Sequence, residues 1–253
     1  MNLLGKTGVV IGGTSGIGKA LSIGLAKEGA DIVASSRRKN YVEEVAAEIE
    51  ALGQKTLRIP SDVYDRLSLE NLLARTLERF GKVDILINCA GKTKRTPTLT
   101  QPEEEWQDII NTNLTGTLRG CQIFGKHMLE RGYGRIINIA SLGTFVGLNE
   151  VAAYAASKAG VASLTRSLAV EWSKKGVLVN AIMPGVFRTA LNADLLDNTP
   201  RGKEFLMRTP MGRFGKTEEL IGAAVYLASD AASFVAGQIL AVDGGFLASG
   251  VNQ

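Results

Sequence analysis

The chain has 253 residues, 45% of them hydrophobic and 21% charged, with a formal net charge of +4 and a pI near 9.1. The basic excess is scattered apart from Arg37-Arg38-Lys39 and Lys92-Thr93-Lys94-Arg95, which argues against nucleic-acid binding and suits small anionic ligands. No apolar run reaches about 18 residues and no secretory leader is read, so no membrane association is expected; two cysteines that need not pair, Cys89 and Cys121, fit a reduced, cytoplasmic setting.

The first strand-like run, Thr7–Ile11, meets Gly12-Gly13-Thr14-Ser15-Gly16-Ile17-Gly18 and then apolar residues at 17, 20, 21 and 25. Strand, glycine turn and helix in this order bring backbone amides and a helix N-terminus onto a phosphate. The spacing is Gly-x-x-x-Gly-x-Gly across Gly12, Gly16 and Gly18, not the usual Gly-x-Gly-x-x-Gly, and on its own it is equally a tight turn.

Further strands are read at Ala30–Ser35, Lys55–Pro60, Val83–Asn88, Arg135–Ala140, Val177–Met183 and Gln238–Val242. Helical periodicity fills 17–28, 41–52, 66–80, 103–131, 151–175 and 217–229. Strands apolar on both faces, alternating with helices, predict an α/β fold: a doubly wound parallel sheet of about seven strands with helices on both faces. No linker composition appears, so residues 1–253 are read as one domain.

Ligands of such sheets bind beyond the carboxyl ends of the strands. The unusual chemistry gathers there: Gly12–Gly18, Ser36-Arg37-Arg38, Asp62-Val63, Asn88-Cys89-Ala90-Gly91, Ser141 and Pro184-Gly185. Tyr154 and Lys158 stand one helical turn apart, on one helix face, thirteen residues beyond Ser141. An ammonium beside a phenol favours the phenolate and would lower its pKa from about 10, giving a proton donor and acceptor near neutrality. Alone this spacing is weak; its weight comes from the glycine turn. His127, the single histidine, reads as a partly buried helix residue. No Cys/His cluster has zinc-ligand spacing, so no metal is expected, and Gly13-Thr14-Ser15-Gly16-Ile17 misses the nucleophile elbow of serine hydrolases.

Taken together, these residues resemble the short-chain dehydrogenase/reductase family from about Leu4 to Gly245. The match includes Gly12-x-x-x-Gly16-Ile17-Gly18, Asp62-Val63, Asn88-Cys89-Ala90-Gly91, Asn113, Ser141, Tyr154-x-x-x-Lys158, Asn180, Pro184-Gly185 and Val242-Asp243-Gly244-Gly245. Ile11 and Cys89 depart from it, standing where the family has Thr and Asn. The resemblance implies a Rossmann-type NAD(P)-dependent oxidoreductase acting on CH–OH groups. It implies that Tyr154 exchanges the proton, Lys158 lowers its pKa and binds ribose, and Ser141 positions the substrate oxygen. Asn113, at a helix distortion, would hold a water. It also implies cofactor contacts at Gly12, Thr14, Ser15, Gly16, Ile17, Gly18, Ser36, Arg37, Arg38, Asp62, Val63, Asn88, Ala90, Gly91, Tyr154, Lys158, Pro184, Gly185, Val186 and Thr189. A homotetramer follows from the same resemblance, with the helices near 112–131 and 151–173 at one interface and Gly245–Ala248 at a second.

An NAD enzyme normally carries an acid about 20 residues past the glycine turn. Here that place reads Ser35-Ser36-Arg37-Arg38-Lys39, two guanidiniums able to grip a 2′-phosphate, so NADP(H) is favoured while NAD(H) stays open. A solvated basic turn is the competing reading. The stretch around 190–212 reads as a substrate lid, poor in aromatics, and the loop Lys92–Pro97 as a basic rim. Both suit a small hydroxylated or carboxylated substrate. Arg208 through Ala224 resembles gluconate 5-dehydrogenases and related sugar-acid oxidoreductases. A 3-oxoacyl-carrier-protein reductase or general ketone reductase is the alternative, and a catalytically silent binding protein the remote one.

Overall fold

The computed structural model describes residues 2–189 and 192–251. Six strands form one parallel sheet in the order β2-β1-β3-β4-β5-β6. They are β1 (Thr7–Ile11), β2 (Asp31–Ser35), β3 (Ile85–Asn88), β4 (Gly134–Ile139), β5 (Val177–Pro184) and β6 (Ile239–Val242). The helices are α1 (Gly16–Lys27), α2 (Lys39–Ala51), α3 (Arg66–Phe80), α4 (Glu103–Ile110), α5 (Gly116–Arg131), α6 (Ala152–Trp172), α7 (Ala193–Leu196), α8 (Pro200–Arg208) and α9 (Ile221–Ala228).

Alternate strand residues serve opposite faces, as a pleat requires. Val10, Ile32, Ile87, Ile137 and Ile182 pack with Leu21, Leu25, Val45, Ile49 and Val225 from α1, α2 and α9. Val9, Val33, Leu86, Ile136 and Val179 pack with Leu69, Leu72, Phe124, Met128 and Leu168 from α3, α5 and α6. Because the strands from β1 to β5 are buried on both sides, their sequences are mostly apolar instead of alternating with polar residues, whereas the edge strand β6 is only half-buried. Among the described residues, no helix is long and apolar enough to cross a membrane.

Two sequence expectations are corrected. The seventh strand, Lys55–Pro60, does not form: the segment follows β2, but its backbone bonds reduce to Ile32 N to Lys55 O (3.2 Å) and Ser61 N to Ser36 O (3.1 Å). Side chains take the other contacts, since Ser35 Oγ donates to Ile59 O and Asp31 Oδ1 accepts from Lys55 N. The helix expected over 103–131 is broken by a π-helical turn, Asn111–Thr115, between α4 and α5.

A row of polar groups crosses the interior under the carboxyl edge. Asn88 and Asn138 are register partners, and Asn88 Nδ2 donates to Asn138 Oδ1 (2.9 Å). Asn138 Nδ2 donates to Thr165 Oγ1 on α6 (2.9 Å). The chain leaves β1 for β2 and returns past β1 to β3, so a crevice opens between the ends of β1 and β3.

Candidate active site

The glycines after β1 have three separate reasons to be glycine. Gly12 has φ +80, and a Cβ there would sit 2.5 Å from Ala90 N; one on Gly18 would collide with the Gly12 carbonyl. Gly16 has φ +48, yet a Cβ would meet only the Thr189 side chain, at 3.6 Å, so space is left above the start of α1. Ser15 is the N-cap, but its side chain makes no capping bond and no acid stands in the first turn. The N-terminal amides of α1 are therefore open to an anion. Thr14 Oγ1 and Ser36 Oγ are bonded to each other (2.6 Å), tying the turn to the end of β2. Arg38 stacks on Tyr41 at 3.8 Å, while Arg37 is exposed and its side chain makes no hydrogen bond or ion pair among the described residues. This open helix end, beside an uncommitted guanidinium, fits a phosphorylated dinucleotide.

Lys158 lies on α6 and is buried, with its Nζ donating to Ile139 O (2.7 Å). That leaves the remaining ammonium N–H groups for ligand hydroxyls. A Cβ placed on Gly91 would lie 3.6 Å from Lys158 Nζ and 3.4 Å from Asn113 Oδ1, so the turn after β3 comes directly onto these two side chains. Asn113 sits in the π-helical turn, where the resemblance implied a distortion, and is fully buried. Its amide exchanges bonds with both backbone groups of Lys92 and donates to Ser157 Oγ (3.0 Å). Ser141 follows β4, and its Oγ accepts from Gly143 N (3.3 Å). Tyr154 stands one turn before Lys158, with Nζ 5.8 Å from its ring centre.

The electrostatics correct the local expectation. Burial raises the Tyr154 phenol above its usual 10, the hydrogen-bonding influence of Ser141 opposing it only in part. Burial also pushes the Lys158 ammonium down to about 8. Desolvation thus dominates at both groups, against the phenolate of Tyr154 and against the ammonium of Lys158. Cys89 borders the same site with its thiol pushed up to about 11 by burial; both cysteines are free.

Other residues of the expected cofactor set divide by role. Asn88 turns its side chain into the core, onto Asn138 and Cys121, leaving only its backbone at the crevice. Asp62 accepts from Tyr64 N (3.0 Å), and Val63 is packed beside Gly116. Ile17 packs on the sheet core, and Ala90 on the opposite face. Gly185 fits because a Cβ would lie 2.6 Å from Asp243 Cα; Asp243 in turn accepts from Gly245 N and Leu247 N. Val186 packs with Ala140, Leu142 and Phe246. Thr189 N donates to Asn192 Oδ1 (2.8 Å), while Ala190 and Leu191 of the expected lid lie outside the described residues. Asn180 ties β5 to the chain entering β6, donating to Val235 O and accepting from Gln238 N.

The basic rim is not free charge. Lys92 bonds Asp108, Lys94 bonds Glu105 (2.6 Å) and Arg95 bonds Glu150 (2.5 Å). Glu150 has φ +61, an uncommon conformation for a side chain of this size, and its carbonyl accepts from Thr96 N. Sequence reading missed Glu105, Glu150 and Ser157: Glu150 and Ser157 meet Arg95 and Asn113 from far along the chain, and Glu105, though only 11 residues from Lys94, sits in no motif. His127 is the partly buried residue expected, its Nε2 accepting from Val83 N (3.3 Å).

A family model described as enoyl-(acyl carrier protein) reductase matches residues 11–247. The 2-dehydro-3-deoxy-D-gluconate 5-dehydrogenase of Bacillus subtilis (strain 168) is 42% identical, over 97% of this chain and 96% of its own. A 3-oxoacyl-(acyl-carrier-protein) reductase of Thermotoga maritima is 34% identical over 98% of this chain and all of its own. Among solved structures, the gluconate 5-dehydrogenase of Burkholderia cenocepacia J2315, in complex with NADP and tartrate, superposes with a TM-score of 0.94 at 35% identity, covering 98% of each chain. The sheet, the glycine turn and these likenesses agree, and the chain belongs to the short-chain dehydrogenase/reductase family.

Proposed function

We propose that this chain is an NADP(H)-dependent oxidoreductase that interconverts a hydroxyl and a carbonyl on a small sugar acid. The observation that carries it is the meeting of Gly91, Asn113, Ser141, Tyr154 and Lys158 at the strand ends beside an uncapped helix N-terminus. The names of its relatives, gluconate and 2-dehydro-3-deoxy-D-gluconate dehydrogenases, support the substrate class, and the NADP in a structural neighbour supports the cofactor.

The nicotinamide, when bound, supplies or accepts the hydride. The α1 amides with Thr14, Ser15 and Ile17 hold the diphosphate side, and Ser36 with Arg37 and Arg38 the 2′-phosphate. Asp62, Val63, Ala90 and Gly91 line the adenosine side, Pro184 to Thr189 the nicotinamide side. Ser141 hydrogen-bonds the substrate oxygen. Tyr154 gives that oxygen a proton in reduction and removes it in oxidation. Lys158 contacts ribose hydroxyls and sets the charge beside the phenol. The π-helical turn at Asn113 holds the floor of a water path to Lys158.

The protein acts as a cytoplasmic homotetramer, a single domain over 1–253 with the segment 190–212 covering the substrate. The outer face of α6 supports an interface: Ala156, Ala159, Ser163, Ser167 and Val170 are exposed along it. Leu164, Leu168 and Ala169 instead face the sheet, and Phe246 is buried on Phe205 of its own chain.

The deciding experiment follows reduced nicotinamide absorbance with gluconate, its keto acids, polyols and β-keto esters, each with NADP(H) and NAD(H). Turnover of sugar acids with NADP(H) is expected. Preference for β-keto esters would move the assignment to the acyl-carrier reductases; no turnover of any substrate would end the enzymatic reading.

A further inference from the structure

A small cavity of about 180 Å³ lies between the segment that leaves Ser141 and the helix α8, lined by Val146–Asn149, Arg201, Glu204, Phe205, Arg208 and Phe246. Phe246 and Val146 belong to the cluster that holds Leu142, next to Ser141, so the cavity adjoins the catalytic loop. Its size is below the roughly 300–1,000 Å³ of drug-sized sites. It suits one end of a short polar molecule, not a long acyl chain.

The cations of the surrounding segments are nearly all committed. Lys92, Lys94 and Arg95 are paired with Asp108, Glu105 and Glu150; Arg188 is held by Asp197 and Arg208 by Glu204. Arg201 is the exception on the cavity wall: it forms no ion pair among the described residues. It gives Nη1 to Asn149 O (3.2 Å) and lies over the Phe205 ring at 5.5 Å. Lys203 also forms no ion pair among the described residues, but it does not line the cavity. Arg201 therefore has most of its N–H donors spare, and the one acid lining the cavity, Glu204, is taken by Arg208 (3.4 Å).

We propose that Arg201 is the specificity-determining residue that receives the substrate carboxylate in this cavity, while the reacting carbon stands at Ser141 and Tyr154. The assignment rests on the sugar-acid reading above. A guanidinium fork matches a carboxylate with two parallel bonds, which the flexible ammonium of a lysine does not reproduce. Binding also bridges α8 to the Val146–Asn149 segment, so the acid end of the substrate orders the wall that faces its reacting end. The polarity is selective: a neutral polyol of the same length gains far less from Arg201, whose paired, charge-assisted bonds need a carboxylate.

The test compares wild type with Arg201→Gln and Arg201→Lys on a sugar acid, on the polyol of the same skeleton, and on NADP. For Arg201→Gln, KM for the acid should rise about 10- to 100-fold, with kcat, KM for the polyol and KM for NADP within about twofold. Arg201→Lys should fall between. A fall in kcat on acid and polyol alike would mean that Arg201 only holds the loop through Asn149, and the proposal fails. Unchanged KM for the acid also overturns it, with the sugar-acid reading intact. If no acid is turned over, gluconate is tested as a competitive inhibitor of whichever ketone the enzyme reduces. Inhibition lost in Arg201→Gln keeps the anion site and discards the sugar-acid reaction; no inhibition of wild type discards both.

Discussion

Asn113 and Lys92 are joined by two hydrogen bonds running in opposite directions, Asn113 Nδ2 to Lys92 O and Lys92 N to Asn113 Oδ1, each 2.9 Å. A buried side chain in the π-helical turn thereby stands in for a strand neighbour and fixes the turn after β3. Asn113→Ala removes both bonds and the one to Ser157, leaving buried groups unpaired. A loss of about 1–3 kcal/mol per unsatisfied group is expected, read as a lower urea midpoint together with lower kcat/KM. An unchanged midpoint would separate Asn113 from the support of this loop.

Tyr154→Phe keeps the ring that packs at the site and removes the proton donor. Turnover should fall by about a hundred- to ten-thousand-fold while NADP still binds. Fluorescence titration with NADPH and a rate assay on the same preparation decide it; retention of most of the wild-type rate removes Tyr154 from the mechanism.

Cofactor choice should turn on the end of β2. Arg37 is exposed and has no ion pair among the described residues, whereas Arg38 is stacked on Tyr41, so Arg37 is the better placed to take a 2′-phosphate. The double change Ser36→Asp with Arg37→Ala should shift relative catalytic efficiency toward NAD by at least about a hundred-fold. Wild-type preference for NADP should weaken with salt. Equal or better use of NAD by the wild type would make the basic turn a solvated surface.

Lys158 predicts a pH signature. Its ammonium is held down to about 8 in the fold, below the 10.5 of a free lysine, so between these values the unfolded chain binds more protons. Stability contributed at this site therefore rises as pH rises from about 8 to 10.5, and the desolvation penalty is full below 8. Relative to Lys158→Met, wild type should gain roughly 2 kcal/mol between pH 7 and pH 10. Parallel urea midpoints for the two proteins over that range would show that the ammonium is not so constrained.

Assembly is the last expectation. Val170 is 84% exposed on the outer face of α6, in line with the small exposed side chains Ala156, Ala159, Ser163 and Ser167, the face on which a second copy would pack. Light scattering at micromolar concentration should give a tetramer, and Val170→Glu a smaller species. A monomer mass for the wild type defeats the homotetramer.

Much of the fold was legible because burial on both faces leaves short, predominantly apolar strands from β1 to β5. Thr7–Ile11 and the helix 66–80 match the observed elements residue for residue. The extended stretch at Lys55–Pro60 reads like a strand because its side chains pack, yet Ser35 and Asp31 take up its backbone groups. The π-helical turn was implied at Asn113 by the family resemblance and not by periodicity, because a single turn of five residues is too short for its shift of the apolar stripe to be read. The site residues came from local motifs, but their charge state did not. Tyr154 beside Lys158 suggests a lowered phenol pKa only if water remains, and burial reverses it. Likewise the rim Lys92–Arg95 looks strongly cationic until Asp108, Glu105 and Glu150 come to it from elsewhere in the chain.

The row Asn88, Asn138 and Thr165 has a consequence for how this enzyme can change. A one-residue slip of β3 against β4 would put an amide opposite an aliphatic side chain, so the row locks the alignment of the two strands. Gly91 and Ser141, a few residues further on, inherit their relative height from groups that touch neither cofactor nor substrate. The surface segments around Arg95, Glu150 and Arg201 are then free to be redrawn for a new substrate while the reacting geometry beneath them stays put.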